Sequence, residues 1–141
     1  MVEDATSVMP GTPRFEGLRD AYARFLAGDP SAMADLLAED VVYHLPGGHL
    51  GGGRLDGRAA LFARLAASAR WCEMRPEIEL LETSGAGDFV VTVERFRARH
   101  GPLRLDQSVC VVWRMRDARC VEIWSHFADQ AACDRFWQGF A

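Results

Sequence analysis

The sequence predicts an α+β fold: a curved antiparallel sheet with helices on its concave face, enclosing a cone-shaped space. Two observations carry this. Apolar residues recur at helical spacing in the first half of the chain and alternate with period two in the second. The alternating segments follow one another through short turns, so they pair as a meander, and long twisted strands curl. A length of 141 residues suits one domain, read as a tail over residues 1–12 and a single unit over 13–141.

Thr12 and Pro13 start the first helix, because threonine can cap and proline suits the first turn. Phe15, Leu18, Tyr22, Phe25 and Leu26 follow at helical spacing, and Gly28 ends the helix. Asp29–Pro30 opens a shorter helix with Met33, Leu36 and Leu37 inward. Val41–Leu45 reads as a short strand stopped by Pro46. A loop from Pro46 to Gly57 carries Gly47, Gly48, Gly51, Gly52 and Gly53, and reads as a flexible flap over the mouth of the enclosed space. A third helix from Arg58 to Ala69 buries Leu61, Phe62 and Leu65. Strands follow at Met74–Thr83, Phe89–His100, Leu103–Arg116 and Cys120–Phe127, with turns at Ser84–Asp88, His100–Pro102 and Asp117–Arg119. Asp129 can cap a last helix, with Ala132, Cys133, Phe136, Trp137 and Phe140 on one side.

Composition removes several functions. The hydrophobic fraction of 49% and charged fraction of 26% are ordinary for a globular domain. The net charge is -4 and every basic residue is arginine. Without lysine there is no Schiff-base amine, no P-loop lysine and no basic tract for nucleic acid. Residues 1–12 lack signal-peptide character and no apolar run approaches membrane-spanning length, so a cytoplasmic protein with no membrane partner is expected. Cys72, Cys110, Cys120 and Cys133 form no CxxC pair and read as reduced thiols. His44, His49 and the distant carboxylates have no metal-ligand spacing, so no metal is expected.

Three segments resemble a known family. They are Gly28-Asp29 with Leu36-Leu37-Ala38-Glu39-Asp40-Val41-Val42-Tyr43-His44-Leu45-Pro46-Gly47, then Leu55-Asp56-Gly57-Arg58-Ala59-Ala60-Leu61, then Val121-Glu122-Ile123-Trp124-Ser125-His126-Phe127-Ala128-Asp129-Gln130 with Phe136-Trp137. Together they resemble the SnoaL-like polyketide cyclase family of the nuclear transport factor 2-like superfamily. The resemblance implies a cystatin-like α+β barrel, no cofactor, a small apolar molecule as partner, and a homodimer. The homodimer also follows from one sheet face left exposed and partly apolar. The implied function is a tailoring enzyme of secondary metabolism: a cyclase, isomerase or lyase moving protons on a polyketide- or terpenoid-like substrate. A non-catalytic binding or assembly domain and an epoxide hydrolase are the alternatives, since fold does not fix function. By resemblance to ketosteroid isomerases, the base would stand at Leu45 and the oxyanion-hole acid near Val111, both apolar here. By resemblance to SnoaL-like cyclases, an aspartate base follows the last-strand tryptophan, where Ala128 and Asp129 stand. By resemblance to limonene epoxide hydrolases, Trp-x-Asp on the last strand matches Trp124-Ser125-His126, with imidazole in place of the acid.

The candidate site residues carry open alternatives. His44 fits a general base, its ordinary pKa of about 6.5 suiting proton transfer, and equally an outer-face histidine. On the last strand, hydrophobicity turns Val121, Ile123, Ser125 and Phe127 inward, whereas the resemblance turns Trp124 and His126 inward. The second option tips His126 toward the pocket, beside His44 as an acid–base pair if the first and last strands are neighbours. Asp129 fits a helix cap, and it can also orient a histidine or act as the base itself. Glu94 shares a face with Val90, Thr92, Phe96 and Ala98, and is either a pocket carboxyl with raised pKa or a solvated edge residue. Gln107, Trp113, Trp124 and Phe127 read as pocket liners, and Tyr22 and Tyr43 as donors to a substrate oxygen. Arg95, Arg97 and Arg99 read as a solvated or dimer-facing surface.

Overall fold

A computed structural model describes residues 13–48, 52–71 and 74–139. The expectations for the tail, His49, Cys72 and Phe140, and for the side chains of Phe15 and Trp71, lie outside the described part. The elements run α1 (Pro13–Leu26), α2 (Ser31–Leu36), β1 (Leu37–Leu45), β2 (Gly53–Asp56), α3 (Arg58–Trp71), β3 (Met74–Ala86), β4 (Phe89–His100), β5 (Leu103–Arg116), β6 (Arg119–Phe127) and α4 (Gln130–Gln138).

The helices form where the pattern places them. Along α1, Leu18, Ala21, Tyr22, Phe25 and Leu26 make one apolar stripe. The helix stops because Gly28 takes a φ of 102°. Its N–H then bonds Phe25 O and that of Asp29 bonds Arg24 O, the paired closure of a glycine-terminated helix. Arg58, opening α3, donates to the carbonyls of Ala34 and Leu37 at 2.9 and 3.2 Å, tying α3 to the end of α2.

The strands form one curved, unclosed six-stranded sheet in the order β2-β1-β6-β5-β4-β3. Neighbouring strands are antiparallel except β1 and β6, which run parallel with His44 beside Trp124. This is the curved sheet expected, with one parallel pair in it: among the described residues β2 and β3 are its edges, and first and last strands are neighbours. The strand β2 falls inside the expected glycine loop, where Leu55 pairs with Tyr43. A four-residue strand carries too little alternation to stand out among glycines. Gly52 is buried, and a side chain there would collide with the Pro46 and Gly47 backbone, so Gly52 packs against the end of β1; residues 49–51 of the expected flap lie outside the described part.

The four helices among the described residues lie on the concave face. Leu18, Tyr22, Met33 and Leu61 pack on Val90, Val109, Val111, Trp113 and Ile123 from the sheet. Cys133, Phe136 and Trp137 of α4 pack on Ala98 and Leu105 of the same face. The β5–β6 connection is a two-residue turn with both central residues at positive φ, Asp117 at 51° and Ala118 at 67°. Alanine is strained there. Ala118→Gly is expected to stabilise the protein by about 1 kcal/mol, read as a higher urea midpoint with unchanged slope.

Candidate functional site

Between helices and sheet lies a cavity of about 140 Å³. Its wall is mostly aliphatic and aromatic, with Tyr22, Tyr43, Arg64, Glu94 and Ser125 as its polar groups. The β4 alternation puts Val90, Thr92, Glu94 and Ala98 inward, and Glu94 is only 4% exposed.

Glu94 is held by hydrogen bonds from two directions. Tyr22 Oη on α1 donates to its Oε1 at 2.7 Å, and Thr92 Oγ1 donates to its Oε2 at 2.7 Å. Thr92 Oγ1 in turn accepts from Trp113 Nε1 at 3.0 Å. Burial pushes the Glu94 carboxyl from 4.5 up to about 7, while the bonds from Thr92 and Tyr22 pull it down. Burial, and then the adjacent Glu94 charge, hold the Tyr22 phenol well above its ordinary value. Tyr43 from β1 meets Ser125 Oγ of β6 at 2.7 Å, and either hydroxyl can donate. Burial pushes Tyr43 up to about 12, so it stays a neutral donor at any working pH. Arg64 on α3 lines the cavity and donates to Gly52 O at 2.9 Å.

The expected site residues divide between two faces. Tyr22, Tyr43, Glu94, Trp113 and Phe127 border the cavity. The β6 alternation follows hydrophobicity: Ile123 and Ser125 are buried inward, and Glu122, Trp124 and His126 turn outward. His44 therefore lies on the outer face, bonded through Nε2 to Glu122 at 2.6 Å and stacked on Trp124 with ring centres 5.4 Å apart. Arg114 bonds the other Glu122 oxygen at 3.0 Å. The His44 and Arg114 bonds together hold the Glu122 carboxyl below its ordinary value. His126 is exposed beside Cys110. The pocket placement of both imidazoles and of Trp124 is thus corrected by strand parity, because turning them inward would expel Ile123 and Ser125. Asp129 caps α4, accepting from Ala132 N at 3.0 Å. Gln107 bonds the Asp129 backbone on both sides, at 2.8 and 3.1 Å, which takes its amide out of the cavity wall. The outer arginines are ion-paired, Arg95 doubly to Asp106 at 2.8 Å.

Two polar side chains that line the cavity escaped the sequence reading. Ser125 had a signal, as a lone hydroxyl in an apolar inward set. Arg64 had none, since one arginine on a helix gives no hint that it borders a cavity.

The SnoaL-like domain family matches residues 3–123. No curated protein matches the chain. Among solved structures, Bal32a from a soil-derived mobile gene cassette aligns with a TM-score of 0.81 and 30% identity over 88% of this chain and 95% of that one. A protein of unknown function with a cystatin-like fold from Xanthomonas campestris aligns with 0.81 and 23% identity, over 89% and 98%. TerC, co-crystallised with polyporic acid, aligns with 0.76 and 22% identity, over 90% and 99%. The helices over a bent sheet and these matches converge: the chain belongs to the SnoaL-like family, within the nuclear transport factor 2-like fold.

Proposed function

We propose that this chain is a cofactor-independent tailoring enzyme, and that Glu94 moves a proton on a small apolar substrate. The observation that carries this is a carboxyl at the wall of an apolar cavity with its pKa raised to about 7. A base works best when its pKa lies near the working pH. The reaction class is proton removal from carbon next to a carbonyl, leading to cyclisation, isomerisation or loss of water. Tyr43 and Ser125 supply hydroxyls for the developing oxyanion, and the apolar walls strengthen those bonds. The acid–base role moves here from His44, His126 and Asp129, none of which borders the cavity.

The test needs no knowledge of the natural substrate. Small cyclic ketones are incubated with the protein in deuterated water, and mass spectrometry follows exchange of the hydrogens next to the carbonyl. Exchange above buffer is expected, falling by about 100-fold or more in Glu94→Gln. Ketones that bind without exchanging would favour a second reading, a non-catalytic binding domain. The observation behind that reading is that Tyr22 and Thr92 already satisfy Glu94, as a structural buried carboxyl requires.

We also propose a homodimer through the outer sheet face. There Val91, Val112 and Trp124 stand side by side across β4, β5 and β6, with no helix over them among the described residues. Val112→Arg is expected to give a monomer by light scattering at micromolar concentration; a monomeric parent protein rules the dimer out. Cys110, Cys120 and Cys133 are free thiols, which supports a reducing, cytoplasmic setting. No helix among the described residues is long and apolar enough to cross a membrane.

A further inference from the structure

A second hollow adjoins the first. It is a groove of about 700 Å³ between the end of α1, α3 and the start of β3, with Leu26, Pro30, Phe62 and Ala66 in its wall. Phe25, Leu65, Ile78 and Phe96 border both the groove and the inner cavity. They come from α1, α3, β3 and β4, so they form a collar between the two spaces.

The sizes decide what fits. An apolar cavity of about 150 Å³ takes a single benzene-like ring, and the inner one is about 140 Å³. A larger molecule whose reactive end reaches Glu94 finds room for the rest of itself in the groove beyond the collar. The groove beyond is several times larger and offers a mostly apolar wall, with Glu77 as its charged side chain. We propose that the site takes a two-part ligand: a small ring head beside Glu94, and an aliphatic chain that passes Phe25, Leu65, Ile78 and Phe96 and lies along Phe62 and Ala66. This rests on the inner cavity being the substrate site. It adds a substrate class, ring compounds bearing a neutral alkyl chain, and it makes the collar and Ala66 determinants of chain length.

Calorimetric titration of the full chain with phenol, para-propylphenol, para-pentylphenol and para-heptylphenol tests this. Each buried methylene is expected to tighten binding roughly threefold to fourfold. Ala66→Trp fills the groove from an exposed helix position and Ala66→Glu puts a charge there. Both are expected to flatten the dependence on chain length, with para-heptylphenol losing about tenfold or more in affinity. Equal affinities along the series in the parent protein would overturn the proposal. So would a chain-length dependence that neither variant changes, because the chain would then lie elsewhere. The readout is binding alone, so it stays separate from the deuterium exchange that judges Glu94: either result can fail with the other intact.

Discussion

Glu94→Gln is expected to stabilise the protein in base and to do so little in acid. The native carboxyl has a pKa of about 7 against an ordinary 4.5, so the folded state holds its proton more tightly than the unfolded chain does. Below pH 4.5 both states are protonated and nothing is lost. As pH rises through the window from 4.5 to 7 the unfolded chain releases its proton first, and folding pays an increasing cost. Above the window that cost levels off at about 3 kcal/mol, from 1.36 kcal/mol per pKa unit. Glutamine has no proton to lose and feels none of this. Urea unfolding of both proteins at pH 5 and pH 8 measures it: the stability difference between them should grow by about 2.5 kcal/mol toward pH 8, because a little of the cost is already present at pH 5. Glu122, Asp106 and Asp29, whose pKa values are lowered, act in the opposite direction in both proteins and cancel in the difference. A pH-independent difference would remove the physical basis for Glu94 as a base at neutral pH.

Trp113→Ala is expected to cost about 3 to 5 kcal/mol, the range for emptying a large aromatic site from a core. Trp113 is 6% exposed, packs edge-on against Tyr22 with ring centres 5.5 Å apart, and donates to Thr92. Truncation opens a void beside the existing cavity and strips the donor that fixes the Thr92 hydroxyl. Trp113→Phe keeps most of the ring and loses the N–H, and should cost only about 1 to 2 kcal/mol. Denaturant midpoints of the two variants separate packing from hydrogen bonding. Equal losses would mean that the indole N–H outweighs the volume.

The sheet and helix order were legible because each rests on a period that the chain writes out locally. The β4 alternation put Glu94 with Val90 and Thr92, and the fold keeps them together inward. The histidines show where local reading runs out. On β1 and β6 the apolar and polar sets are nearly balanced, so parity hung on one residue and the family resemblance pulled it the wrong way. Hydrophobicity alone would have kept Ser125 in and His126 out. The partners of Glu94 were illegible for another reason: Tyr22 lies 72 positions away on a helix, and no spacing rule links a helix residue to a strand carboxyl. The β2 strand and Arg64 were lost to brevity, one too short for a period and the other a single side chain.

The parallel seam between β1 and β6 sets the order of events during synthesis. His44 and Glu122, on its two sides, are 78 positions apart, so the seam forms only after all the residues from β1 through β6 have left the ribosome. Until β6 arrives, β1 with its short partner β2 has no strand pairing to the β3–β4–β5 meander, and only α1 and α3 bridge the two. Joining them closes a long loop, which is slow compared with hairpin zipping. A nascent chain halted before Arg119 would thus lack the seam and, with it, Ile123, Ser125 and Phe127 from the cavity wall, so capacity to bind a small molecule should arise late.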